Sequence, residues 1–512
     1  MRTLKKITAH VIILGLCLTA AAPGAVLNAK TKKPKLSKKA VTVTKGKAKT
    51  IKLTRVGKKE KVTWKTNKKK VIRLSKKKKT SCKVTGLKKG SATLTCSVKT
   101  GKKVVKLKCK VTVTEPKVVN TPSIINTYKD IIPYMGAAVN YGKTNPRELR
   151  TASVLSFVKK HFNSITLENE MKPDNILGSA PKLLSVEEAK AKGYYIPGGY
   201  REATVPQLNF NEVDGALTVA AQNGLKMRAH TLVWHSQTPG WFFTEKYDAS
   251  SVVSAEVMDA RLDFYIHNVM AHVMEKEKSL TGTAGSIVYA WDVVNEYLHR
   301  ISFGGKTWDG VYGNKGKSPH YVKRAFEIAY EMLKSYGIQH TVTLFYNDYN
   351  TYFGVQETLD LVNFINKDEP AKICGGIGMQ SHVDVKVPTV QQYGDALEKF
   401  LASGYEIQIT ELDFTINFDT EGSSATYAYK NEKETEADQK KFVKSLMETI
   451  ITKQKNRDKN VNPKGITSIT LWGLYDNVSW RYQCEPLLFG TYITKPKPSF
   501  FSFIEAAKVW KK

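Results

Sequence analysis

From Tyr134 onward the chain alternates two hydrophobic patterns. Short apolar runs recur at Tyr134–Val139, Ser164–Asn169, Lys226–Trp234, Ile287–Glu296, Thr341–Asp348, Gly375–His382, Glu406–Asp413 and Ser468–Gly473. Between them lie stretches of helical period. In one, Val322, Phe326, Ala329, Tyr330 and Leu333 share a face and Gly337 is placed to end the helix. Eight buried strands, each followed by a helix, predict an α/β fold of the (β/α)8 barrel type.

Residues 36–113 follow a different rule. Val, Thr and Leu alternate with Lys at period two in runs such as Ala40–Val43, Thr50–Leu53, Lys61–Lys65, Cys82–Val84, Ala92–Val98 and Val104–Val113, with Lys- and Gly-rich turns between them. That spacing predicts a small all-β sandwich with Trp64, the segment's one tryptophan, in its core. Glu115–Pro122 is a Pro-containing extended stretch and the expected domain boundary.

The first 29 residues read as an export signal. Arg2, Lys5 and Lys6 precede the apolar run Val11–Ala22, and small residues follow to Ala29. The run is shorter than the ~20 residues a membrane span needs. The expected organisation is a signal over 1–29, a β-sandwich over 30–115, a linker over 116–122 and a barrel over 123–512. The expected location is secreted, extracellular or cell-wall associated, with no membrane span and a monomer as the default state.

Charge separates the two domains sharply. The 512 residues carry a formal net charge of +34, of which +3 lies in residues 1–29 and +30 in residues 30–115, leaving +1 for the rest. So strong a field attracts polyanions. Nucleic acid is disfavoured, because the segment lacks aromatic residues for stacking and the chain reads as exported. Wall teichoic acid or the glucuronic acid groups of a plant polysaccharide suit better, and a solvated lysine-coated spacer is the alternative. Five cysteines remain beyond the signal, Cys82, Cys96, Cys109, Cys374 and Cys484, too few for a disulfide scaffold and without metal-ligand spacing. Cys96 and Cys109 flank the turn at Gly101–Lys102, which makes a hairpin bridge one expectation and reduced packing cysteines the other.

The chemistry is concentrated where the barrel strands end. The second run ends Glu168-Asn169, the third carries His230 and Trp234-His235, and the fourth ends Asn295-Glu296. The fifth ends Asn347-Asp348, the sixth Gln380-Ser381-His382, the seventh Glu411-Leu412-Asp413, and Trp472 closes the eighth. In such barrels the C-terminal strand ends form the active face. Taken singly, Trp234 and Trp472 would be core aromatics, His230 and His382 structural histidines, and Lys172 a surface charge. Glu296 and Glu411, on the fourth and seventh strands, are placed to face each other across the barrel mouth. Two opposed carboxylates beside Trp and Asn suit glycoside hydrolysis, one protonated to release the leaving oxygen and the other ionised to attack.

The motifs WDVVNE at 291–296, ITELD at 409–413, HTLVWHSQTPGW at 230–241 and ENEMKPD at 168–174 resemble family 10 of the glycoside hydrolases, the xylanases. GMQSH at 378–382 and the LWG and SW pair at 471–480 agree, and the likeness covers about residues 125–510. The resemblance implies Glu296 as general acid/base and Glu411 as nucleophile, with His382 orienting Glu411 and Asn295 bonding the sugar 2-hydroxyl. It implies Glu168, Asn169, Lys172, His230, Trp234 and Gln380 along the glycone side, with Trp472 and Trp480 stacking on or capping the sugar. Asp348, Asp413, Tyr349 and His235 are expected as support. A retaining mechanism, xylan or xylo-oligosaccharide substrates and no metal or organic cofactor follow from the same resemblance. Within the basic segment, LSKKAVTVTKGK, VTW, VTGLKKGSATLT and KCKVTV resemble bacterial Ig-like domains of the group 2 type.

Two departures stand out. Ala229 precedes His230 where the family usually has glycine, and residues 178–207 form an insertion that brings Tyr194, Tyr195, Tyr200 and Arg201. Extra ring stacking for the substrate is one expectation for it, and a surface elaboration with tyrosines packed down is the other. The alternatives to a xylanase are another β-1,4-glycanase, acting on cellulose or mixed-linkage glucan, and a noncatalytic wall-associated carbohydrate-binding protein.

Overall fold

The computed structural model describes residues 33–114, 120–142, 147–248, 250–300, 305–313, 316, 319–417 and 434–511. The chain forms two compact units that divide between Lys117 and Val118. The expected export signal lies outside the described residues, as does most of the expected linker.

The first unit is built from eight strands: β1 (Lys35–Leu36), β2 (Ala40–Thr44), β3 (Ala48–Thr54), β4 (Lys61–Thr66), β5 (Ile72–Lys78), β6 (Ser81–Gly86), β7 (Gly90–Thr100) and β8 (Lys103–Thr114). They form two four-stranded sheets, ordered β1-β3-β6-β5 and β2-β8-β7-β4. Alternation of apolar and lysine positions turns one side of every strand inward. Ile51, Ile72 and Val84 from one sheet meet Trp64, Leu94, Val98 and Val111 from the other in a single core. Trp64 donates from Nε1 to the Lys78 carbonyl at 2.9 Å, so its one polar atom is satisfied. β5 was not among the expected strands, because its lysine run hides the alternation of Ile72 and Leu74.

The expected hairpin bridge does not form. Thr100 pairs with Lys103 across the turn, which sets Cys96 opposite Leu107 and Cys109 opposite Leu94, two positions out of register. All five described cysteines are free and buried.

The second unit is a closed barrel of eight parallel strands: β9 (Tyr134–Val139), β10 (Ser164–Leu167), β11 (Lys226–Trp234), β12 (Val288–Asn295), β13 (Thr343–Asp348), β14 (Gly376–Met379), β15 (Glu406–Thr415) and β16 (Ile466–Leu471). Closure comes from the β14–β15 and β16–β9 pairings. A helix follows each strand in turn: α1 (Ala152–His161), α2 (Asn211–Asn223), α3 (Ala255–Thr281), α4 (His320–Ser335), α5 (Val355–Asn366), α6 (Val390–Ala402), α7 (Glu436–Asn456) and α8 (Pro498–Ala506). Covered on both faces, the strands read as nearly unbroken apolar runs. In α4, Val322, Phe326, Ala329 and Leu333 are buried as their spacing requires, and Gly337 follows the helix at φ 69°.

Inside the barrel the filling is polar. Arg228 of β11 forms a two-pronged ion pair with Asp292 of β12, at 2.7 and 2.5 Å, and also donates to Gln408 of β15. The β14 strand stops at Met379 because Ser381 takes a left-handed φ of 64°, and His382 then starts a separate short pairing beside Asp413.

Residues 178–207 fold against α3. Leu183–Ser185 and Thr204–Pro206 pair antiparallel, and a capped helical turn, Val186–Ala191, lies between them. The segment is fastened to α3, where Arg261 donates to both oxygens of Glu202 and Asn268 bonds the Tyr195 backbone twice. The Tyr194 ring lies over Phe264, Tyr200 bonds Tyr247, Tyr195 stacks on His267 at 3.7 Å, and Arg201 turns back onto the Gly198 carbonyl. Tyr194 and Tyr200 are packed down because α3 and Tyr247 offer them ring surfaces, whereas Tyr195 lies on the surface against His267.

Among the described residues no helix is long and apolar enough to cross a membrane.

Glu277, buried near the end of α3, accepts from the amides of Gly285, Ile287 and Val288 at 2.8, 2.8 and 2.5 Å and so ties that helix to the start of β12. A buried amide left without an acceptor costs about 1–3 kcal/mol. Glu277→Ala is therefore expected to lower barrel stability by about 3 kcal/mol or more in urea unfolding, with Glu277→Gln recovering part of it.

Candidate active site

Glu296 follows directly on β12 and Glu411 sits within β15, both at the C-terminal mouth of the barrel. The β13 strand between them carries the piece that joins their neighbourhoods. Asn347 Nδ2 donates to Asn295 Oδ1 at 2.8 Å and to Glu411 Oε1 at 2.9 Å, while its own Oδ1 accepts from Thr410 at 2.6 Å. This works only beside a residue without a side chain: a Cβ on Gly378 would stand 2.3 Å from Asn347 Oδ1.

Glu296 is held from two sides. Gln380 Nε2 donates to Oε1 at 2.7 Å and Trp234 Nε1 to Oε2 at 2.7 Å. Its backbone is left-handed at φ 58°, which swings the carboxyl off the line of the strand, and its amide donates to the Asn347 carbonyl at 2.8 Å. Gln380 also reaches Asn295 Oδ1 at 3.2 Å. With that oxygen used twice, the Asn295 amide N–H groups are what it can offer a ligand.

The two carboxyls are driven apart in acidity. Burial pushes Glu296 up, the Gln380 bond partly opposes it, and the charges of Asp348 and Glu411 add to the rise, bringing it to about 7. Glu411 is equally buried, but its bond from His382 and the nearby His230 and Lys172 outweigh burial and hold it below the usual carboxylate value. His382 stands between two acids, with Nδ1 at 2.7 Å from Asp413 Oδ2 and Nε2 at 3.2 Å from Glu411 Oε2. Burial disfavours its charge, yet Asp413 and Glu411 together raise its pKa. The environment thus favours the protonated form of Glu296 and the ionised form of Glu411, with Glu296 changing state close to neutral pH.

The remaining expected residues gather around this pair. Lys172 is buried, with Nζ 2.9 Å from Gln237 Oε1, 3.4 Å from Asn169 Oδ1 and 4.7 Å above the Trp234 ring. Burial lowers its pKa against the pull of Glu411, Glu168 and Glu296. Glu168 Oε2 accepts from Asn140 at 2.7 Å. His230 bonds Asp292 through Nδ1 at 2.9 Å, and its ring meets Trp472 edge-on at 5.4 Å. Trp480 lies edge-on to His382 at 5.1 Å, with the Arg481 guanidinium 4.6 Å over its ring. Ala229 is fully buried in β11 and leaves the strand continuous.

Of the four expected supports, Asp413 holds His382 and receives Arg481 at 3.4 Å, and Asp348 holds His299 at 2.9 Å and Tyr346. Tyr349 donates to the His299 carbonyl at 3.3 Å. His235 lies 3.8 Å from Glu296, and burial pushes its pKa down to about 4.

Several partners were not singled out from the sequence. Gln237 sits inside a motif that was recognised, and Asn347 at a strand end already marked as polar, so both carried a signal. Asp292 likewise sits inside the WDVVNE motif, whereas Asn140, His299 and Arg481 carried none, because their roles depend on which strand end or loop lies opposite. Among the described residues no cluster of His, Cys, Asp and Glu could hold a metal ion.

A model of glycosyl hydrolase family 10 matches residues 123–506. An endo-1,4-β-xylanase A of Butyrivibrio fibrisolvens is 40% identical over 386 residues, covering 75% of this chain and 84% of that protein. A bifunctional endo-1,4-β-xylanase of Ruminococcus flavefaciens is 32% identical over 71% of this chain but only 32% of its own length. Among solved structures, an intracellular xylanase of Thermoanaerobacterium saccharolyticum, in complex with xylotriose, matches with a TM-score of 0.56 at 27% identity, over 75% of this chain and 98% of that one.

The acidity of Glu296 is open to direct measurement. Carbon-13 NMR of the labelled carboxyl should find its midpoint near 7 rather than at the ordinary 4.5. Asp348→Asn removes a charge that raises it, so the midpoint should fall, whereas a parent midpoint close to 4.5 would contradict the site's electrostatics.

Proposed function

The chain belongs to glycosyl hydrolase family 10, and from that footing we propose that it is an endo-1,4-β-xylanase that cleaves internal bonds of xylan with retention. The observation that carries this reading is the pair of carboxyls at one mouth, Glu296 held by Gln380 and Trp234 and Glu411 bonded by His382. Glu296 donates its proton to the glycosidic oxygen as the bond to the leaving sugar breaks. Glu411 attacks the anomeric carbon and forms a covalent glycosyl ester. Glu296, now ionised, takes a proton from water, and the hydroxide so formed displaces Glu411 from the sugar. Retention requires the two carboxyls about 5–5.5 Å apart, too close for a water between them.

The surrounding residues supply differential binding. Asn295 offers its amide to the 2-hydroxyl of the sugar being cleaved, a bond that strengthens as charge develops at the anomeric carbon. Trp472 and Trp480 cover the sugar, while Glu168, Asn169, Lys172, His230 and Gln380 read its hydroxyls and those of its glycone neighbour. Lys172 and the two tryptophans crowd the place where a glucose unit would carry its hydroxymethyl, which favours xylose over glucose and xylan over cellulose. We also propose export through the 1–29 signal and an Ig-like type for the basic unit. The first is supported by the basic start and short apolar run, the second by the two packed sheets and its motifs.

Incubation with glucuronoxylan and, separately, carboxymethylcellulose, followed by proton NMR, tests the reading. Xylan-selective release of β-anomers first, abolished in Glu411→Ala, is expected. Initial α-anomers would refute retention, and preferential release from carboxymethylcellulose would refute the substrate. The pH profile of kcat/KM should lose its alkaline limb near 7 in Glu296→Gln, at a much lower rate, because the group that must be protonated is gone. Mass measurement of the N-terminus after expression in an exporting host tests the signal, with cleavage near residue 29 expected.

A further inference from the structure

On one sheet the lysines of the basic unit fall into aligned rows. On the sheet ordered β2-β8-β7-β4, the outward positions of β8 are Lys106, Lys108 and Lys110, and those of β4 are Lys61, Thr63 and Lys65. The strand between them, β7, turns out Thr93, Thr95 and Ser97, and Lys99 at its end. Register aligns these rows: Lys110 lies opposite Thr93, Lys108 opposite Thr95 and Lys106 opposite Ser97, while on the other side Thr95 faces Lys65 and Lys99 faces Lys61. Strands lie about 4.8 Å apart and same-face residues repeat every ~6.8 Å. The face is therefore a row of hydroxyls with a lysine row on each side, ~10 Å apart. The other sheet is basic too, exposing Lys49 and Lys52 on β3, Lys83 on β6 and Arg73, Lys76, Lys77 and Lys78 on β5, but the pairing of β5 is irregular between Ser75 and Lys78, so its lysines form no aligned row.

Like charges at this density repel and do nothing for the stability of a sandwich whose core is already apolar. The face also excludes some ligands. It carries no aromatic ring, Trp64 being turned into the core, so neither bases nor neutral sugar rings find a stacking surface. A uronic acid substituted here and there along a glycan would meet few of the lysines. The rows fit a chain with one anion in every short repeat and small hydroxylated spacers between. The only acid in residues 33–114, Glu60, is taken up by the Gly57 amide and the Thr100 hydroxyl.

We propose that this sheet face is a docking surface for a linear polyol-phosphate polymer of the cell wall, lying along the strands with its phosphates on the lysine rows. The inference rests on export of the chain and is independent of what the barrel hydrolyses. Binding would be driven by counterion release and fall steeply with salt.

The test uses the full chain and two variants of equal net charge. One replaces Lys61, Lys65, Lys99, Lys106, Lys108 and Lys110 with glutamine, the other the exposed Lys47, Lys52, Lys68, Lys83, Lys88 and Lys89. Each is titrated with purified poly(glycerol phosphate) at about 0.15 M salt, where charges more than ~8 Å apart are largely screened. The face variant should lose tenfold or more in affinity, roughly what the loss of several phosphate contacts implies, and the other should stay within about threefold. Equal losses in both would overturn the proposal in favour of a coat that senses net charge alone. Absence of binding by the parent, or tighter binding of glucuronoxylan or of oligo(dT), would overturn it too. Should the six-fold variant melt early, Lys65→Glu with Lys108→Glu gives the same comparison against Lys52→Glu with Lys83→Glu. Hydrolysis of a short xylo-oligosaccharide, followed in parallel, reports on the barrel separately.

Discussion

One amide side chain holds the two halves of the reaction centre in a fixed relation. Asn347 gives both of its amide donations across strands, to Asn295 on one side and to Glu411 on the other, and receives Thr410 on its oxygen. A fully buried amide must have such partners, since each unmet donor or acceptor there is costly. The demand for satisfaction therefore sets the separation and tilt of β12 and β15 at the mouth. Gly378 leaves room for the arrangement, and Gln380 continues it to Glu296. The result is a network that joins Asn295, Glu296, Asn347, Gln380 and Glu411 through direct hydrogen bonds.

Glu296 and Glu411 differ in acidity because of what surrounds each carboxyl. Glu296 accepts from two neutral donors, which satisfy its oxygens without supplying positive charge, and two other acids stand near it. Glu411 accepts from a neutral amide and lies beside a histidine whose far side is anchored by Asp413, with Lys172 also within reach. The deep Arg228–Asp292 pair belongs to the same arrangement, because Asp292 also holds the His230 ring in place. Oriented dipoles and charges of this kind are in position before a substrate arrives.

Much of this was legible in the chain. The barrel strands could be read because burial on both faces leaves long apolar runs, and Tyr134–Val139 and Lys226–Trp234 match their observed limits. The strand ends could be read because an apolar run that closes on Asn-Glu or Trp-His has no structural reason to do so. The parts that could not be read depend on distance in space. Nothing local says that Arg228 will meet Asp292 or that Asp348 will find His299. The cysteine pair failed by two positions because the tight turn at Gly101 sets the register, and cysteine spacing does not. The inserted tyrosines were ambiguous for the same reason: their partners, Phe264, His267 and Tyr247, lie on or before a helix much further along the chain.

The left-handed backbone of Glu296 has a consequence for how such a protein can change over time. A glutamate at φ 58° carries a conformational cost of order 1 kcal/mol that glycine would avoid and asparagine would lessen. Either replacement would also remove a buried carboxyl and its desolvation cost. A chain drifting without selection for turnover would thus be drawn toward a sturdier, silent barrel at this position. Glutamate at this position runs against the fold's own preference.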